Sequence, residues 1–137
     1  MILFWFRRDA ELMISLRRDA QFGLILTIAS GGVLTEILQD ASTLLVPAND
    51  LSVLAALDSL RIARLLGGFR GGPAVSRQAI LDQIQTLVRL MHARSEIVEI
   101  EINPMMLGPD YAICADALIT VLDRNDPPDN IPSHAAN

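Results

Sequence analysis

The segment Glu96–Leu107, EIVEIEINPMML, constrains the fold more than any other stretch of the chain. Val98, Ile100 and Ile102 alternate with Glu99, Glu101 and Asn103, the period-two pattern of a strand with one face on a core. The opposite face carries three oxygen-bearing side chains and stops at Pro104, which has no N–H for a ladder. Gly108-Pro109-Asp110-Tyr111 then suits a four-residue hairpin loop built around a type I turn. With that loop, Leu107 faces Ala112, and Asn103 lies opposite Asp116 on the same face. The same register assigns Ile113, Ala115, Ala117 and Ile119 to the core face with Ile100 and Ile102. Cys114 and Leu118 fall beside Asp116. A slip of one residue would turn Asp116 away from Asn103.

A carboxylate and an amide oxygen brought together without nitrogen or sulfur ligands suit a hard cation. Mg²⁺ is favoured because it takes one or two protein oxygens and completes its shell with water and phosphate. The competing reading is a polar, solvated sheet face with no ligand.

The remaining chain supplies strands and then helices. Ala10–Asp19 reads as a strand and Phe22–Ala29 as a more buried one, while Ser42–Pro47 is a short third. The repeated RRDA at 7–10 and 17–20 is too short to be a structural repeat. The segment NDLSVLAALDSLRIARLLGG reads as one helix, capped by Asn49 or Asp50 and stopped by Gly67-Gly68. Its buried stripe is Val53, Ala56, Leu57, Leu60 and Ala63. A second helix starts at Ser76 and buries Ile80, Ile84, Leu87, Val88 and Met91. Strands, two helices and a closing hairpin predict an α+β fold, a mostly antiparallel sheet with two helices on one face.

Composition removes several classes of function. Sixteen acids against eleven bases give a net charge of −5, which argues against nucleic acid or an anionic membrane as partner. All eleven bases are arginine, so no lysine can serve as phosphate ligand, Schiff base or general base. Cys114 is the single cysteine, which excludes an intrachain disulfide and fits a reducing cytoplasm. The start, MILFWFRR, is too short for a spanning helix and has its charges on the wrong side for a signal peptide. It reads as an edge strand or as the point where a longer chain is cut.

Other candidates are weaker. Gly31-Gly32, followed by a possible short helix at Val33–Asp40, could turn backbone N–H groups toward an anion, or could be only a tight turn. Arg70, between the glycine pairs of GGFRGGP, could reach a phosphate or carboxylate, or be a solvated arginine in a helix-stop loop. His92 reads as a cation at a helix C-terminus, and His134 lies in the tail. Neither histidine supports a Ser-His-Asp or Cys-His arrangement.

Taken in order, RRDAQFG, SGGVLTEILQD, LLGGFRGGP, EIEINPM and ADALI resemble the ATP-grasp region of NDP-forming acyl-CoA synthetases. That family includes ADP-forming acetate–CoA ligase and the succinyl-CoA synthetase β subunit. The likeness runs from about Glu11 to Ile119. It implies that Asn103 and Asp116 bind the Mg²⁺ of a nucleotide, ATP in the first instance, and that Gly31 and Gly32 lie near its phosphates. It also implies that Glu101 faces the phosphorylated histidine loop of a CoA-binding partner. Glu36 could order the glycine loop.

The family's front portion, with the adenine pocket and a phosphate-binding lysine, has no counterpart here. Residues 1–122 are therefore expected to be the rear half of an ATP-grasp domain, with 1–9 a possible truncation edge and 123–137 a disordered tail. The expected partners are a nucleotide, a CoA-binding subunit or domain, an adenine-binding half on another chain, and possibly a second copy. The expected function is that of a ligase component, inactive alone. The alternative is a truncated, non-catalytic module that keeps the fold and binds a partner.

Overall fold

The computed structural model describes residues 10–32, 39–68, 71–123 and Asn125. Its elements are β1 (Ala10–Asp19), β2 (Gly23–Ser30), β3 (Ala41–Val46), α1 (Asp50–Asp58), α2 (Ala63–Leu66), α3 (Arg77–Ala93), β4 (Ile97–Leu107), β5 (Ala112–Cys114) and β6 (Ala117–Val121). One sheet runs in the order β3-β2-β1-β4-β5, with β6 following β5 along the same side of β4. Every pairing is antiparallel, so the expected α+β architecture stands. The initial apolar segment, residues 33–38 of the expected short helix with Glu36, Arg70, and the tail from 126 onward with His134 lie outside the described residues, while Gln39 and Asp40 are not helical. Among the described residues no helix is long and apolar enough to cross a membrane.

The β1–β2 hairpin shows how the sequence enforces this arrangement. Ala20–Phe22 form a three-residue loop closed by Gly23 at φ +81°, a left-handed position that glycine takes without a Cβ penalty. The Asp19 carboxylate accepts the N–H groups of Gln21 and Phe22 at 2.8 and 2.9 Å and so satisfies the turn. Pairing then runs without a break from Asp19↔Gly23 to Leu12↔Ser30. Leu12, Ile14 and Leu16 consequently point to one face, where each is fully buried, contributing roughly 1.5–3 kcal/mol apiece.

The helices cover that face. Ser76 caps α3, its Oγ accepting from Ala79 N at 3.1 Å, and Ile80, Ile84, Leu87 and Met91 are buried as the spacing predicts. Val88 is partly buried against the same core. At the other end of α3, Arg18 from β1 donates to the carbonyls of Met91 and Arg94 and, through Nε, to Ile97 O at 2.8 Å. A guanidinium there satisfies the helix's last carbonyls and opposes the negative end of its dipole.

The first predicted helix is two. Asn49 caps α1, accepting from Ser52 N at 2.8 Å, but the helix ends at Asp58. Buried Asp40 then accepts the N–H groups of Arg61 and Ile62 at 2.8 and 3.0 Å, satisfying the start of α2. The single stripe is thereby interrupted: Leu60, Ile62 and Leu66 are buried, whereas Ala63 is only partly so.

Candidate functional site

β4 is paired on both sides, and the site lies where its regularity fails. On the β1 side the partners are Ile14↔Ile102 and Leu12↔Met105, so Asn103 and Pro104 together oppose Met13 in a bulge. The Asn103–Pro104 peptide is cis. On the other side the register is uninterrupted from Leu107 to Glu99, shifting only between Glu99 and Ile97: Leu107 pairs with Ala112, Met105 with Cys114, Ile102 with Ala117 and Glu101 with Leu118. Between β5 and β6, Asn103 N donates to Asp116 O at 3.2 Å and Ala115 N to Pro104 O at 3.1 Å. Asn103 and Asp116 are therefore direct cross-strand neighbours, and the loop holds the four residues Gly108–Tyr111, closed by Gly108 N to Tyr111 O at 3.0 Å.

The bulge overturns part of the face assignment. Ile100 and Ile102 face the helices, but beyond Pro104 it is Met105 and Leu107 that do, each nearly fully buried. The strand continues past Pro104 instead of ending there. On the return strand Ala112 and Cys114 turn toward the helices, and Ile113 is exposed. The expected positions of Ile113, Ala115 and Cys114 are thus corrected. Gln83 of α3 marks the new face: its Nε2 donates to Ala112 O at 3.1 Å, and Cys114 Sγ donates weakly to its Oε1 at 3.9 Å. Partial desolvation pushes the Cys114 thiol up, so it is not an activated nucleophile. Ala117 and Ile119 do pair with Ile102 and Ile100, yet both are exposed.

Glu101, Asn103 and Asp116 line one pocket of about 300 Å³ together with Ala117 and Leu118. Glu99, on the same stripe, is instead engaged by Ser15 Oγ at 3.3 Å. Among the described residues no three His, Cys, Asp or Glu side chains converge as an all-protein metal cage. Asn103 and Asp116 offer two oxygens facing an open volume, a donor set that fits Mg²⁺ with phosphate and water completing its shell.

The glycine pair lies beside this pocket, but its N–H groups are used within the protein. Gly31 N donates to Glu11 O at 2.9 Å, and Gly32 N donates to Asn103 Oδ1 at 2.9 Å. Close backbone approach requires glycine at Gly31, and the left-handed φ favours it at Gly32. A Cβ on Gly31 would meet Leu12 backbone carbon at 2.5 Å, and one on Gly32 (φ +69°) would meet Glu11 Oε2 at 2.0 Å. Both N–H groups thus have protein acceptors in this arrangement. Glu11 was missed as a residue of the site. The β1–β2 register carries it there: extending Leu12↔Ser30 by one residue sets Glu11 against Gly31.

A second pocket, of about 260 Å³, opens between α1, α3 and the β2–β3 hairpin. Its wall is mostly apolar, with Asp50, Arg89 and His92 among its lining residues. His92 sits in the last turn of α3 as predicted, away from Asn103 and Asp116.

Comparison with known proteins agrees with this architecture. Acetate–CoA ligase (ADP-forming) I subunit beta of Pyrococcus furiosus is 34% identical over 107 residues, 78% of this chain and 46% of that subunit. The 4-hydroxybutyrate–CoA ligase (ADP-forming) of Nitrosopumilus maritimus is 29% identical over 97 residues, 71% of this chain and 14% of that enzyme. Among solved structures, dinucleotide-forming acetyl-coenzyme A synthetase 1 of Ca. Korarchaeum cryptofilum, in complex with coenzyme A and Mg-AMPPCP, superposes with a TM-score of 0.77 at 32% identity. That match covers 82% of this chain and 53% of the other. The chain thus spans about half the length of the subunit relative it matches. The family model for the ATP-grasp domain matches residues 4–121, and the chain belongs to the ATP-grasp domain family.

Proposed function

We propose that this chain supplies the Mg²⁺- and phosphate-facing half of the ATP-grasp site of an NDP-forming acyl-CoA synthetase. The observation that carries the reading is the direct opposition of Asn103 and Asp116 on the wall of one pocket with Glu101. Asn103 and Asp116 would hold the metal, which when bound neutralises and orients nucleotide phosphate oxygens. Asp116 contributes charge and Asn103 a neutral oxygen, so the pair binds a cation without setting two carboxylates against each other. Glu101 lies two residues before Asn103 on the same pocket wall. There it would support phosphoryl transfer to a histidine loop presented by a CoA-binding partner. The Korarchaeum relative has a phosphohistidine segment that points toward its nucleotide site, which supports that role. The relatives are named for different acids, acetate and 4-hydroxybutyrate among them.

The test is calorimetric titration of Mg-AMPPCP into the chain combined with a polypeptide carrying the adenine-binding half. Asp116→Asn is expected to weaken binding at least about tenfold, about 1.4 kcal/mol. Binding unchanged by both Asp116→Asn and Asn103→Ala would reject the reading. One observation favours a second reading, a partner-binding module without turnover: β6 presents Leu118 and Val121 to solvent, 66% and 56% exposed. On that reading the chain binds its partner and no nucleotide at all.

A further inference from the structure

We infer that Asn103 holds two things with one oxygen: the Gly31–Gly32 turn and the metal. The inference rests on the metal reading above and adds a positioning role that the reading does not contain. Gly32 N can only donate, so its 2.9 Å bond fixes the Asn103 carboxamide with Oδ1 toward the glycine turn. A carbonyl oxygen has two lone pairs, and this bond uses one of them. The other remains for the cation that Asp116 faces across the strand pair.

The turn cannot easily follow Asn103 if that side chain moves. Gly31 N is tied to Glu11 O at 2.9 Å, and the Gly31 Cα lies against the Leu12 backbone too closely for any Cβ. Gly32 is held at φ +69° with the Glu11 carboxylate packed on its Cα. β1 therefore clamps the turn from one side and Asn103 from the other. The metal ligand and the glycine turn become one rigid unit, although 71 residues separate Gly32 from Asn103. The two glycine N–H groups then serve to fix the turn, and the turn in turn fixes the ligand oxygen.

The bridge has a spectroscopic consequence. A divalent cation on Oδ1 is the largest local charge and withdraws electron density from the oxygen that accepts the Gly32 N–H. The Gly32 amide therefore reports on the metal without touching it.

The experiment is ¹H–¹⁵N NMR with amide exchange on the full 137-residue chain combined with an unlabelled polypeptide carrying the adenine-binding half, titrated with Mg²⁺ alone and then with Mg²⁺ and ADP. In the wild type the Gly32 amide is expected to be protected and to shift with the same midpoint as Asp116. Asn103→Ala should speed Gly32 exchange at least tenfold. Asn103→Asp, which keeps an acceptor oxygen, should restore protection. Asp116→Asn should leave Gly32 protected in the absence of metal and weaken its response to Mg²⁺. Equal Gly32 exchange in the wild type and Asn103→Ala overturns the bridge. A metal response at Asp116 without one at Gly32 overturns the bridge and leaves the metal reading standing. No response at either residue overturns both.

Discussion

The molecule contains two hairpins built by different rules. In β1–β2 the pairing is continuous from the turn to Leu12↔Ser30, alternation is never broken, and one face is sealed by helices. In β4–β5–β6 a bulge at Asn103–Pro104 flips the buried face, the return strand breaks into two pieces, and β6 is exposed along its whole length. Packing favours the regular hairpin, because every side chain on its inner face reaches the core. Packing alone gives no reason for the irregular one. Its bulge leaves Asn103 and Asp116 opposed at the rim of a pocket, and bulges recur where a strand must re-aim a side chain. Both hairpins feed the core through β1, β2 and β4, but only the irregular one carries the proposed site.

This contrast breaks most sharply under core deletion. Leu16 is fully buried between Leu26 and Ile100, so Leu16→Ala is expected to cost about 2–5 kcal/mol in urea unfolding. Leu118→Thr, on β6, should stay within about 0.5 kcal/mol of the wild type. Equal losses at the two positions would mean that β6 is covered in solution.

Asp40→Ala comes next, at about 1–3 kcal/mol, because it removes the acceptor of the Arg61 and Ile62 N–H groups in a partly buried setting. Thermal unfolding of Asp40→Ala and Asp40→Asn side by side checks this. Asn retains one oxygen and should lose less.

Asp116→Asn should separate chemistry from stability. Asp116 is exposed and makes no side-chain hydrogen bond or ion pair among the described residues, so unfolding should change by no more than about 0.5 kcal/mol while Mg-nucleotide binding falls. A large stability loss would assign Asp116 to the scaffold instead.

The smallest effect concerns Cys114. Partial desolvation raises its pKa, so less thiolate is present at neutral pH than for an ordinary exposed cysteine. Alkylation by iodoacetamide should be correspondingly slow near pH 7 and accelerate only as pH rises through that elevated value. Rapid labelling at neutral pH would contradict its position against Gln83.

Much of the fold was legible in local pattern. Period-two alternation located β1 and β4, 3.6-residue spacing and Ser76 located α3, and the four-residue loop set Asn103 against Asp116. These features depend on neighbours along the chain, where backbone geometry ties sequence spacing to spatial direction. The tertiary structure decided what needs a distant partner. Asp40 receives the N–H groups at the start of α2 from 21 residues away, and Arg18 caps α3 from 73. The bulge in β4 opposite β1 accompanies the turn of Cys114 toward the helices and the exposure of Ile113. Gly32 spends its N–H on Asn103 because the β1–β2 and β1–β4 registers bring them together. A backbone donor takes whichever acceptor the assembled sheet delivers, and spacing along the chain does not specify that acceptor.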